Sequence, residues 1–241
     1  MPRFPVLARL NALAAMTTPA LDMRGWMATL LMMTALLAIG PRMAAADIAA
    51  DQPDHISASA PVETGIAAAE AGCLRDAITI LTPHADLGHA TANYVLGLIY
   101  LHGNGEMAAR PALSHTYFAR AAAAGHVASI FETAFQLERG IGTDQDMDKA
   151  IHLYKIAARA NHLNAQFNLA VLLLRHKADR EGLQEAYFWA VAARHNAART
   201  AKGALTEHRT ASLARVIRSQ ITHQAATRAA SAAARLAGQP V

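Results

Sequence analysis

The chain holds a single cysteine, Cys73, among 241 residues. No intramolecular disulfide can form, so an exported version of this chain must be held together by packing. A lone thiol reads as a small buried helix residue rather than a nucleophile. Aromatic residues make up only 5%. Alanine inflates the 53% hydrophobic content, and small side chains at close-packed positions favour helix on helix. No run of alternating β-branched residues occurs, which predicts little or no strand. The patterns Gly-x-Ser-x-Gly, His-Glu-x-x-His and Gly-x-x-x-x-Gly-Lys are missing, so no catalytic or cofactor-binding residue is assigned. Twelve histidines raise the question of a metal. No His-x-x-x-His or Cys-x-x-Cys pair exists, though, and a metal needs three or four ligands at one point. No metal ligand is assigned either.

What the chain does contain is a recurring phrase. Gly88-His89 follows Ala85, Gly125-His126 follows Ala121-Ala122, and Asn161-His162 follows Ala157-Ala158. Asn196-Ala197 follows Ala192-Ala193. The Gly/Asn positions are 37, 36 and 35 residues apart (125−88, 161−125, 196−161). A fixed period in this range predicts an all-α fold, an α/α superhelical solenoid of helix-turn-helix repeats. Histidines at equivalent repeat positions sit at separate turns, where they are expected to stabilise the turn.

The N-terminal residues 1–46 read as a secretory signal. Arg24 precedes an uncharged stretch from Gly25 to Gly40, and Ala44-Ala45-Ala46 offers a cleavage site before Asp47. Sixteen residues rise about 24 Å as helix, short of a ~30 Å bilayer core. The expected location is the periplasm; the same segment left uncleaved would anchor the chain to the inner membrane. Met23 is a possible true start. Residues 47–64, with Pro53 and Pro61, read as a flexible spacer. Without residues 1–46 the chain carries 18 basic and 17 acidic groups. Residues 47–197 carry 11 basic against 16 acidic, a net of −5, and residues 198–241 seven against one, a net of +6. The basic whole-chain balance therefore comes from the ends, and no nucleic acid is expected as partner.

The solenoid is expected over residues 65–197, with units at about 90–126, 127–162 and 163–197 and an N-terminal helical cap over 67–88. In unit one Tyr94 to Tyr100 form a first helix that Gly103-Asn104-Gly105 ends. Tyr117, Phe118, Ala121 and Ala122 form the buried stripe of the second helix. Unit two repeats this with Phe131, Ala134 and Leu137, a Gly140-Ile141-Gly142 stop, candidate N-caps over Thr143 to Asp146, and then Leu153, Tyr154, Ala157 and Ala158. Unit three has His176 and Ala178 where the two glycines stood. Gly97, Ala134 and Ala170 mark the places where first helices cross their partners. Residues 198–241 place Leu213, Val216, Ile217, Ile221 and Ala225 at spacings of three and four, which predicts a basic capping helix and tail.

The run Ala-x-x-x-Leu-Gly-x-x-Tyr-x-x-Gly-x-Gly, followed by Asp-x-x-Lys-Ala-x-x-Leu-Tyr-x-x-Ala-Ala-x-x-Gly-His, resembles the Sel-1-like repeat, a relative of the tetratricopeptide repeat. Residues 92–105 carry the first half; Asp146, Lys149, Ala150, Leu153, Tyr154, Ala157, Ala158 and Asn161-His162 carry the second. The resemblance covers about residues 67–197 and implies a scaffold for protein complexes, often in bacterial envelope processes. Some exported relatives described as acting on β-lactam-like substrates carry a disulfide in each repeat, which one cysteine does not allow here. The expected role is therefore non-catalytic: an exported adaptor that takes a protein or peptide in the concave groove. Polar residues on the first helices, Asn93, Glu132 and Gln166, together with Tyr100, are the candidate partner-binding residues. Two other roles stay open, a cell-wall or polysaccharide-binding module using Tyr100, and a membrane-surface adaptor whose C-terminal arginines meet an anionic surface.

Overall fold

The turn phrase explains the architecture. In the computed structural model, which describes residues 60–199 and 203–238, Gly88, Gly125 and Asn161 all have positive φ, at 87°, 83° and 64°. Each closes a second helix in the left-handed conformation that glycine, and next asparagine, tolerates. The histidine that follows donates its backbone N–H five residues back: His89 to His84, His126 to Ala121 and His162 to Ala157, at 3.0, 3.1 and 3.0 Å. That bond and the neighbouring one from the Gly/Asn N–H pair the last carbonyls of the helix. The same histidine then starts the next helix. Its Nδ1 accepts from the backbone N–H three residues on, at Ala92, Ser129 and Ala165, over 3.4, 3.3 and 3.2 Å. One dipeptide thus ends one helix and caps another.

Ten helices follow among the described residues, without a strand. They are α1 Ala60–Glu70, α2 Leu74–Asp86, α3 Ala90–His102, α4 Pro111–Ala123, α5 Val127–Arg139, α6 Met147–Arg159, α7 Leu163–His176, α8 Arg180–Arg199, α9 Gly203–Arg218 and α10 His223–Leu236. Each helix from α1 to α8 packs on the next in chain order, and α9 and α10 both pack on α8. All belong to the unit Ile56–Val241. The protein is an all-α helical repeat solenoid.

The core is a strip between hairpins. It is made of alanines at the crossings and one large side chain per second helix: Leu81, Phe118, Tyr154 and Trp189, all buried. Gly97 shows why the crossing needs a small residue. A Cβ there would lie 2.5 Å from the Phe118 ring. Ala134 and Ala170 occupy the same place one and two repeats on, and both are fully buried.

Five expectations change. The spacer predicted over 47–64 gives way to helix at Ala60, because Val62 and Gly65 are buried against the second helix; residues 47–59 lie outside the described part, as do the signal segment and its cleavage site. The cap predicted over 67–88 is a full hairpin, α1 with α2. The basic helix predicted beyond 198 is two helices, because α9 ends at Arg218, the chain turns at Ser219-Gln220, and Thr222 caps α10 by accepting from the Ala225 N–H. Asn196 makes no fourth turn. It is buried within α8, where its side chain donates to the Asn161 carbonyl at 2.6 Å. Cys73, too, is exposed ahead of α2 rather than buried in a helix.

Unit three changes its inner turn. With no glycine to end it, α7 runs to His176 and the chain reverses over 177–179. The Asp179 carboxylate accepts from the Gly182 N–H at 2.7 Å. Gly182 permits this crossing, since a Cβ there would sit 1.8 Å from the Lys177 carbonyl oxygen.

Candidate functional site

The first helices α3, α5 and α7 stand in successive repeats, so residues at one repeat position form a row. Tyr94 and Phe131 stand in that row, and each meets the histidine cap of the following repeat. Tyr94 lies 4.7 Å from the His126 ring centroid, and Phe131 4.7 Å from that of His162. Glu132 is the next residue along α5. It is half-buried, and no Lys, Arg or His of the described residues pairs with it. Burial pushes its carboxyl up to about 7. Its charge acts on Tyr94 of the preceding repeat and Tyr154 of its own. The Tyr94 hydroxyl is pushed up to about 12, by burial first and then by Glu132.

A second polar group adjoins this one. Tyr154 rises from α6, and its ring is buried. Its hydroxyl donates to Glu138 Oε2 at 2.8 Å and accepts from Asn168 Nδ2 at 3.3 Å. Burial, then the Glu138 charge, raise the Tyr154 hydroxyl further. One side chain from a second helix therefore ties α5 to α7. Glu132, Glu138 and Asn168 are all partly accessible. Together they make a half-buried, carboxylate-bearing strip along the first helices, with hydrogen-bonding capacity and no ion pair to either carboxylate among the described residues.

The four sequence-derived candidates do not come together. Asn93 is 1% exposed, and its amide donates to the Ala85 and His89 carbonyls at 2.9 and 3.0 Å. Gln166, also 1% exposed, donates to the Ala158 carbonyl at 3.1 Å and to Asn161 Oδ1 at 3.2 Å. Both amides fasten the end of a second helix to the first helix after it. Their polarity at helical core spacing has this local cause. Tyr100 is 8% exposed and stacks on Tyr117, ring centroids 5.5 Å apart and 7° from parallel. Buried in this way, Asn93, Gln166 and Tyr100 lack the open face that contact with a partner requires. Glu132 alone of the four has it.

Sequence reading missed Glu138, Asn168 and the Tyr154 hydroxyl. One signal for the last was available. Phe118 and Trp189 hold the same repeat position as Tyr154, so the tyrosine there brings a hydroxyl that needs a partner. The three histidines stand at three turns, each engaged with its own helix start. A shallow depression of about 400 Å³ lies elsewhere, at the start of α4, lined by Arg110, Pro111, Leu113 and Thr116 among others. It contains none of the strip residues.

The comparisons agree with the repeat architecture. The Sel1 repeat is matched over residues 90–126 and 128–162. Protein SHC1 of Saccharomyces cerevisiae is 33% identical over 99 residues, which is 41% of this chain and 19% of that protein; the same protein of a second strain matches equally. The chain thus spans about a fifth of the length of these curated relatives. Among solved structures, a Sel1 repeat protein from Oxalobacter formigenes superposes with a TM-score of 0.50 at 20% identity, over 74% of this chain and 78% of that one. A protective antigen of uropathogenic Escherichia coli displaying an SLR fold is similar at a TM-score of 0.47 and 16% identity, over 74% and 46% of the two chains. At 20% identity the likeness to the Oxalobacter formigenes protein concerns the fold.

Proposed function

Since the chain is a Sel1-like repeat protein, whose repeats are typically protein-interaction modules, we propose that it is a non-catalytic, exported scaffold that holds a basic segment of a protein partner along its first helices. The observation that carries this reading is Glu132. A carboxyl kept half-buried on a repeat surface without a cation is costly in the free protein. A Lys or Arg side chain from a partner would supply the missing charge and hydrogen bonds. Glu138 lies further along the same helix and Asn168 one first helix across, and the net charge of −5 over residues 47–197 favours the same kind of partner. The groove in this reading is the face lined by α3, α5 and α7. The signal-like residues 1–46 and the envelope setting implied by the resemblance supply the exported location, the periplasm.

The polysaccharide reading loses its main support, because it needs Tyr100 open and that ring is stacked inside. The anionic-surface reading keeps one observation in its favour, the exposed arginines of α10. A cross-linked pull-down from envelope fractions tests the main proposal. Wild-type chain should recover a protein that the double substitution Glu132→Lys with Glu138→Lys loses, while circular dichroism shows the helices intact. Equal recovery by both chains would sink it.

A further inference from the structure

We propose that copies of this chain associate head to tail, the outer face of α10 in one copy packing on the outer face of α1 in the next. Two matched stripes carry the inference. Helix α1 exposes Glu63, Ala67 and Glu70. Helix α10 exposes Arg228, Ala232 and Arg235. Both triplets have the spacing four then three, which lines them up on one face of a helix. In each, two like charges stand seven residues apart, about 10.5 Å along the axis, with an alanine between them. Two carboxylates on one stripe therefore match two guanidiniums on the other, and the central alanines let the helix axes come close. None of these four charged side chains has an ion-pair partner among the described residues.

The charge of the two ends agrees with this. Residues 60–86 carry Glu63, Glu70, Asp76 and Asp86 against Arg75, a net of −3. Residues 207–238 carry Arg209, Arg215, Arg218, Arg228 and Arg235 against Glu207, a net of +4. Leu236, 40% exposed, adds apolar surface beside the α10 stripe.

The face of α1 is also the one by which inner repeats dock. Gly65 stands in α1 as Gly97 does in α3: a Cβ on it would lie 2.6 Å from Leu81, as one on Gly97 would lie 2.5 Å from Phe118. That register sets Ala67 level with Ile99, and one repeat further with Gln136. Ile99 and Gln136 are buried, and Gln136 donates to Ser114 on the second helix of the preceding repeat at 3.1 Å. Ala67 occupies the docking position at the start of the stack, and it is exposed. Helix α10 of another copy would continue the stack. Because the two faces differ, the contact is heterologous and generates a chain of copies unless it closes into a ring.

Sedimentation velocity on the full chain tests this. At about 20 mM salt the weight-average mass should rise with concentration, and at about 500 mM the chain should run as a monomer. Glu63→Arg with Glu70→Arg should be monomeric, and so should Arg228→Glu with Arg235→Glu. An equimolar mixture of the two variants should reassemble, because each new end finds an opposite one. Circular dichroism on each variant separates lost contact from lost fold. A wild-type monomer at every salt concentration, assembly retained by either variant, or a mixture that stays monomeric would overturn the proposal. So would flotation with phosphatidylglycerol vesicles that the arginine variant alone loses, without self-assembly; it would give the arginines to an anionic surface.

Discussion

The turns at Gly125 and Asn161 and the reversal at 177–179 join helices of the same stack by different means. At the first two, a left-handed residue and a capping histidine do the work, and the geometry repeats within a few tenths of an ångström. At the third there is no left-handed residue. An aspartate cap and one tightly seated glycine, Gly182, replace them. Connections that share a phrase should tolerate change at their open positions, where an added Cβ meets nothing, and connections that rely on close approach should not.

The sharpest test of that contrast is alanine at three glycines. Gly142 combines φ of 72° with a Cβ position 2.2 Å from the Pro111 carbonyl oxygen, and Gly182 would place its Cβ 1.8 Å from that of Lys177. Gly142→Ala and Gly182→Ala should each lower stability by about 3 kcal/mol or more. Gly125 has positive φ but open space around its Cβ position, so Gly125→Ala should cost about 1 kcal/mol. Urea midpoints of the three variants give the ranking, and equal losses would break the contrast.

The pH profile sharpens it next. Burial lowers His89 and His126 from 6.5. Their contribution is complete above 6.5 and is lost as pH falls toward the lowered native values, because the unfolded chain takes up protons first. Glu132 runs the other way. Its contribution is complete below its ordinary value of 4.5 and is lost as pH rises through about 7. Glu132→Gln should therefore stabilise the protein at pH 8, by about 2 kcal/mol, and leave the acid limb in place. A loss of stability at pH 8 would mean that Glu132 is satisfied within the fold.

Smaller effects concern the caps and the tyrosine bridge. His126→Ala should cost about 1 kcal/mol through the lost cap. His126→Asn should recover part of this, since asparagine caps but leaves Tyr94 without its ring contact. Tyr154→Phe should cost about 1 kcal/mol by releasing Glu138 and Asn168, whereas a fold indifferent to that bridge would show no change in thermal midpoint.

Much of the repeat architecture was legible because turn chemistry and helix crossing both require particular residue types at a fixed period. Gly97, Ala134 and Ala170 could be placed at crossings for that reason. Asn196 could not be read correctly, since its place in the period imitates a turn while its burial is a matter of tertiary packing. Neither could the break at Thr222, which lies inside a run whose apolar spacing continues across it. The candidate surface was less legible still. Asn93 and Gln166 look like Glu132 in sequence, polar on a first helix, and only the position of the neighbouring carbonyls separates a buried amide clamp from an accessible carboxyl.

The most direct measurement is site-specific photo-cross-linking from the first and second helices of one unit. A cross-linker placed at Asn168 or Phe135, on the first helices, should capture the same protein partner, and Glu132→Lys in the same chain should abolish capture. One at the exposed His152, on α6, should capture nothing in common with it. Capture from His152 that survives Glu132→Lys would contradict the account.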